Sequence, residues 1–278
     1  MKAVFLLCAC MSILAVALIC IFLFANGVPA ISEIGALDFL LGTKWKPGNN
    51  IYGILPMILG SIYITAGAVV VGVPLGVLTA VFMTKYCPKK LYAVLKTAIG
   101  LLSGIPSVVF GFFGLVVMVP LIRTAFADFD TNGKSILTAS LLLGLIILPT
   151  IVGVAESSLR AVPDHYYEGA LALGATKERS MFAVVLPAAK SGVMAGVILG
   201  IGRAIGETMA VVMIAGNQPR IPTSILKGVR TLTTNIVLEM GYAADLHRGA
   251  LIGTGVVLFV FILIINLLFS LVKGRGKQ

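Results

Sequence analysis

The sequence predicts an all-α, polytopic membrane protein with six transmembrane helices, on three observations. Of its 278 residues 59% are hydrophobic and only 12% are charged, about half the ~25% charge of an ordinary soluble domain. The mean hydropathy is +1.07. Apolar stretches long enough to cross a bilayer core, which needs roughly 20 residues, recur six times along the chain. A soluble fold of this length cannot bury so much apolar sequence, so a soluble enzyme, a disordered chain and a collagen-like chain are all excluded.

The six predicted spans cover approximately residues 3–26, 54–84, 92–122, 136–160, 188–215 and 249–272. The first follows Lys2 as a signal peptide would, but its apolar run far exceeds the 7–15 residues of such a segment and no A-x-A site ends it, so it reads as a retained helix. Gly72-Val-Pro74, Gly104-Ile-Pro106 and Pro149 interrupt the later spans, and membrane helices tolerate such residues. Three longer connections remain, 27–53, 161–187 and 216–248.

Basic residues orient the chain. With a cytoplasmic N-terminus, twelve Lys and Arg fall inside and eight outside, while Arg203 lies within a span and six acids fall outside. Both termini are therefore expected in the cytoplasm. The formal net charge of +10 then faces anionic inner-leaflet lipid rather than nucleic acid.

The four cysteines and two histidines suggest no metal or disulfide framework. Cys8, Cys10 and Cys20 share one apolar run, Cys87 lies among lysines, and His165 and His247 are widely separated. Two nucleotide-binding look-alikes also fail. Gly133-Lys134-Ser135 resembles the end of a phosphate loop, but Asp128 occupies the place of its first glycine, and no strand precedes it. Gly200, Gly202 and Gly206 have one residue too many for a dinucleotide fingerprint. With Gly192 and Gly196 they read as small-residue packing ridges. The chain is expected to bind no cofactor and to have no ATP site of its own.

Residues 161–187 are the most informative stretch. Pro163 suits the first turn of a helix and Asp164 the positive end of its dipole. Tyr167, Ala170, Leu171 and Gly174 follow at helical spacing, Gly174 suits a left-handed C-terminal turn, and Thr176 can cap a second helix from Lys177. The expected product is a compact helix–turn–helix knob on the cytoplasmic surface.

This loop resembles the EAA loop of ABC importer permeases. Glu168-Gly169-Ala170 is followed by three residues and Gly174, then by nine residues and Val184-Val185-Leu186-Pro187. Gly169 replaces the usual Ala and Val184 the usual Ile, both mild departures. The resemblance implies the MetI-like, type I importer fold and no enzymatic activity in the chain itself. It also implies a separate ATPase subunit carrying ATP–Mg, docked through Glu168, Gly169, Ala170, Gly174, Leu186 and Pro187. Within that family, Gly202-Arg-Ala-Ile-Gly-Glu-Thr-Met-Ala-Val211 with Ala215-Gly-Asn217, Ile105-Pro-Ser-Val-Val-Phe-Gly111, and Trp45-x-Pro47 with Ile51-Tyr-Gly53 resemble phosphate permeases of the PstC type, over nearly the whole chain. The partners this implies are a homologous second permease (PstA type), an ATPase homodimer (PstB type) and an external phosphate-binding protein (PstS type). Residues 1–53 are then the first transmembrane helix with its external loop, and 54–278 the permease core. The rival readings are a permease for another oxyanion, such as sulfate or molybdate, and an ATP-independent secondary transporter.

Arg203 and Glu207 are the candidate substrate-path residues. If 188–215 is one continuous helix, its midpoint is near residue 201 and Arg203 lies ~3 Å away along the axis, where an arginine costs roughly 2.5–3.5 kcal/mol on insertion scales. Glu207, one turn on, is expected to reach back to it. Two readings follow: a self-neutralising structural pair, or a cation lining an anion path, its planar fork matched to phosphate oxygens and its charge moderated by Glu207.

Overall fold

The computed structural model describes residues 1–274, without the side chains of Ala3 and 269–274. Arg275 and Lys277, counted above among the inward-facing charges, lie outside the described residues. The helices in chain order are α1 (Lys2–Ile34), α2 (Ala36–Leu41), α3 (Leu55–Val81), α4 (Lys89–Gly104), α5 (Ser107–Phe113), α6 (Val119–Ala125), α7 (Ile136–Arg160), α8 (Asp164–Ala172), α9 (Lys177–Ser180), α10 (Leu186–Ala188), α11 (Lys190–Gly206), α12 (Met209–Ile214), α13 (Leu232–Glu239) and α14 (Asp245–Gly274). Single π turns close α3, join α5 to α6 and join α9 to α10. Among the described residues five helical stretches are long and apolar enough to cross a membrane, and a sixth crossing forms if the bent pair Lys177–Ala188 and Lys190–Gly206, set at 74°, counts as one. The chain is a multi-pass membrane protein.

α7 is the axis of the fold. Leu142, Leu143, Ile146, Ile147 and Ile151 on it are at most 1% exposed, packed between α3 and α11. Small residues bring these backbones together where no hydrophobic force separates helix from lipid. A Cβ at Gly67 would stand 2.3 Å from Ser140 Oγ, and one at Gly72 would stand 2.8 Å from the Ile147 side chain. On the other side, Gly192, Gly196 and Gly200 press on Ser158, Val154 and Ile151, as the small-residue pattern predicts. Gly202 and Gly206 meet nothing within 4 Å, so they take no part in the ridge, which continues instead at buried Ala204. α1 packs mainly along α14, with Phe24 edge-on to Phe259 at 5.9 Å.

Three predicted spans differ from the structure. The first helix runs on to Ile34, through Pro29. The third divides at Ile105-Pro106, where extended backbone separates α4 from α5, because proline disfavours helical geometry in the residue before it. Only Ser107–Ala125 of that stretch has a span's length and composition. The fifth is not one continuous helix either: α11 ends at Gly206, and Glu207 is extended (φ −68°, ψ 128°) before α12 begins.

Both predicted long loops at the Ile136 end of α7 are structured. Residues 36–54 fold into α2 and a two-stranded pair, Trp45↔Tyr52 and Lys46↔Ile51, which buries Phe39, Trp45 and Tyr52 against Leu232 and Leu251. Thr231 caps α13 through a reciprocal bond with Thr234.

Candidate functional site

The break between α11 and α12 sets Arg203 and Glu207 apart. Arg203, one turn before the end of α11, is half-buried and donates from Nη1 to Thr150 Oγ1 of α7 at 3.2 Å. Glu207 lies beyond the last helical turn, so the one-turn spacing predicted from a continuous helix does not apply. Its Oε1 accepts instead from the backbone N–H groups of Thr208 (3.1 Å) and Ala210 (3.2 Å), capping α12, and its carbonyl accepts from Thr233 Oγ1 at 3.1 Å. No ion pair joins Arg203 to Glu207 among the described residues. The expected reach of Glu207 to Arg203 is corrected: each residue has its own partners, because the chain unwinds between them.

Unwound backbone within a span is tolerated where it is buried in protein or lines a polar cavity. Broken helices with exposed termini are the means by which transporters place polar groups at mid-depth. Here the Arg203 guanidinium is held by the Thr150 hydroxyl four residues before the break, the Thr208 hydroxyl donates to the Gly206 carbonyl at 3.1 Å, and Gly202 and Gly206 leave open space around their backbone.

The knob predicted from 161–187 is present. α8 starts after Pro163, Gly174 has φ +83° with open space around it, and Thr176 Oγ1 accepts from Arg179 N at 3.2 Å to cap α9. Glu168, Gly169, Gly174 and Pro187 are exposed, Ala170 and Leu186 half-buried. Leu173, beside the turn, is 91% exposed. The knob is held on the end of α3: Lys85 Nζ bonds Asp164 Oδ1 at 2.6 Å and lies 4.9 Å from the centre of the Tyr167 ring. That bond and the Lys85 charge hold the Asp164 carboxyl below the usual carboxylate range.

Two charge clusters are absent from the predicted site. On α7, Glu156 accepts from Tyr92, Lys96 and Arg160. The i,i+4 spacing of Glu156 and Arg160 is the sequence signal that could have found this pair. At the other end, Glu239 accepts from Trp45 Nε1 (2.8 Å) and Arg230 Nη1 (2.5 Å) and bonds His247 Nε2 at 2.9 Å. Burial pushes its carboxyl up, yet these three partners together hold it below the ordinary value. No sequence pattern links Trp45 to Glu239.

Comparison with known proteins agrees with this architecture. Residues 72–276 match the family described as "Binding-protein-dependent transport system inner membrane component". "Probable ABC transporter permease protein YqgH" of Bacillus subtilis is 37% identical over 97% of this chain and 89% of its own length. "Phosphate transport system permease protein PstC" of Mesorhizobium japonicum is 34% identical over 89% of this chain and 81% of its own. Among solved structures, the fold is similar to a MetNI methionine ABC transporter chain in an inward-facing conformation (TM-score 0.65, 17% identity, 84% of this chain and 100% of that one). It is also similar to a bacterial alginate ABC transporter chain (TM-score 0.65, 16% identity, 100% and 97%).

Proposed function

The chain belongs to the family of binding-protein-dependent transport system inner membrane components, and from that premise we propose that it is the permease subunit of an ATP-driven importer of inorganic phosphate. The observation that carries the substrate is Arg203. A half-buried guanidinium next to an unwound break, bonded to one hydroxyl and with donors left over, suits a tetrahedral oxyanion. Its rigid fork of donors matches phosphate oxygens, and an ionisable group within the membrane is functional by default. The PstC-type relatives support the same substrate.

The chain works with a homologous PstA-type permease, a PstB-type ATPase homodimer that binds ATP–Mg, and an external PstS-type binding protein, while contributing no ATP site itself. Both termini and the 161–187 knob are cytoplasmic. Glu168, Gly169, Ala170, Gly174, Leu186 and Pro187 form the face that docks the ATPase, and the exposed Leu173 adds an apolar contact beside the turn. Arg203 binds the anion as it passes. Glu207 has a different role from that of a counter-ion: by capping α12 it keeps the break open.

The test is reconstitution of the chain with these partners in proteoliposomes. Labelled phosphate uptake should require ATP and resist excess sulfate or molybdate. Uptake displaced by either anion would move the assignment to another oxyanion, and uptake without the ATPase would make the protein a secondary carrier.

A further inference from the structure

Glu156 lies on α7 with 1% of its surface exposed. A buried carboxylate is costly unless its lone pairs are met, and here they are. Oε1 accepts from Tyr92 Oη and from Arg160 Nε, both at 2.7 Å, and Oε2 accepts from Lys96 Nζ at 2.5 Å. Arg160, one turn along the same helix, also stacks 4.5 Å from the centre of the Tyr92 ring. One cation is enough to balance this carboxylate, yet the cluster has two. Arg160 neutralises Glu156 and leaves Lys96, 54% exposed along its side chain, as a net positive charge.

Lys96, Glu156 and Ser103 are the polar part of the lining of a cavity of about 180 Å³, whose other walls, Ile99, Val152 and Pro149 among them, are mostly apolar. One water needs about 10–15 Å³ on this measure, so a tetrahedral oxyanion has room. Gly100 and Gly153 of the same lining meet nothing within 4 Å. Lys96 has three N–H donors, of which Glu156 takes one, and Ser103 adds a hydroxyl. Glu156 is six residues beyond Thr150, the Arg203 partner, or about 9 Å along α7. The cavity therefore follows Arg203 along one helix, towards the 161–187 knob.

We propose that Lys96 and Ser103 form a second anion station, which receives the oxyanion from Arg203 and releases it to the cytoplasm. Glu156 is the tethered competitor that re-engages Lys96 as the anion leaves. A site on a conduction path must bind well enough to be entered and weakly enough to be left, and a lysine with a resident carboxylate meets both conditions. The station rests on the phosphate-permease reading and adds a site on the exit side, where internal phosphate should compete with arriving phosphate.

The experiment uses the whole complex in proteoliposomes, with ATP inside, labelled phosphate and binding protein outside, and inorganic phosphate preloaded inside at increasing concentration. Internal phosphate should inhibit wild-type uptake. Lys96→Gln should raise the half-inhibiting concentration at least five-fold, and Lys96→Arg should stay within two-fold of wild type. Gly153→Leu fills the cavity without touching a charge, and should cut uptake at least five-fold while the ATPase still co-purifies. Lys96→Gln/Glu156→Gln should keep the raised inhibition constant, whereas a lysine that only balances Glu156 would give back wild-type behaviour in that double variant. Wild-type uptake indifferent to internal phosphate, unchanged inhibition in Lys96→Gln, or full uptake by Gly153→Leu would each overturn the station while leaving the substrate assignment standing. A wild-type complex that carries no phosphate would instead overturn the parent reading and the station with it, and is seen before any variant is compared.

Discussion

Neutralising Arg203 and Glu207 together separates the two roles these residues can have. Partners in a buried ion pair couple by about 0.5–3 kcal/mol, and loss of one alone strands the other. Arg203 is instead bonded to Thr150 and Glu207 to two amide groups of α12, so their coupling should lie within about 0.5 kcal/mol, roughly two-fold in uptake. Arg203→Gln removes a charge-assisted hydrogen bond to the anion, about 1.5–3 kcal/mol or some 10–150-fold in uptake. Glu207→Gln keeps an oxygen that accepts from both N–H groups and should cost less than about 1 kcal/mol, within five-fold. Glu207→Ala loses the cap, at about 0.5–2 kcal/mol. The Gln/Gln double variant should therefore assemble and show close to the product of the two single losses. Arg203→Lys should also be impaired, because it keeps the charge and loses the planar fork. The assay is the initial rate of labelled phosphate uptake at matched membrane levels, with ATPase co-purification as the assembly control. A double variant that transports better than Arg203→Gln alone would prove the two charges coupled and refute the separate roles.

Three further outcomes are expected. Gly174 has open space around it, so Gly174→Val meets only the backbone cost of a left-handed L-residue, about 1–2 kcal/mol; it should insert normally but co-purify with less ATPase, and Gly174→Asn should be milder, while full co-purification of the valine variant would remove the turn from the docking argument. In a background lacking the native cysteines, Cys at exposed Ile225 should label with an impermeant thiol reagent from outside, and Cys at exposed Lys177 only after the membrane is opened; the reverse pattern would invert the topology. The carboxyl of Glu239 is held below its unfolded value of about 4.3, so its stabilising contribution is complete above that pH and is lost as pH falls through the lower folded value. Trp45, the sole tryptophan and a partner of Glu239, should accordingly shift its emission only below about pH 4.3. Glu239→Gln should abolish that shift, and an unchanged shift in the variant would assign it to another group.

What the sequence made legible is what depends on neighbours along the chain. Span existence follows from apolar length, and 136–160 coincides with α7 to the residue. The knob follows from Pro163, Gly174 and Thr176, each acting within a few residues of itself. The small-residue pattern identified Gly192, Gly196 and Gly200 as close contacts, but it could not show that Gly202 and Gly206 face open space. That depends on which side of α11 the neighbouring helices cover, since Arg203 and Ala204 still meet α7, and this is a property of several helices rather than one.

The misread features share a cause: apolar content measures length in the membrane and is blind to backbone continuity. Residues 188–215 are apolar throughout, so a hydropathy ruler returns one helix. The break at Glu207-Thr208 arises from a different competition. A carboxylate that can accept from N–H groups just after it offers the backbone an alternative to the next helical turn, and Glu207 accepts from Thr208 and Ala210. Gly206, with no side chain to pack, lowers the cost of leaving the helix. The same competition explains why the predicted salt bridge is absent: once Glu207 serves as a cap it is no longer one turn from Arg203, and the guanidinium turns to Thr150. The pairing rule for i,i+4 residues held where the helix is continuous, at Glu156 and Arg160 on α7, and failed where the acid itself can end the helix. Candidate charge pairs in a span therefore have to be weighed against capping before they are read as neutralised. For this chain that comparison leaves Arg203 without an ion-pair partner among the described residues, with Thr150 as its hydrogen-bond partner.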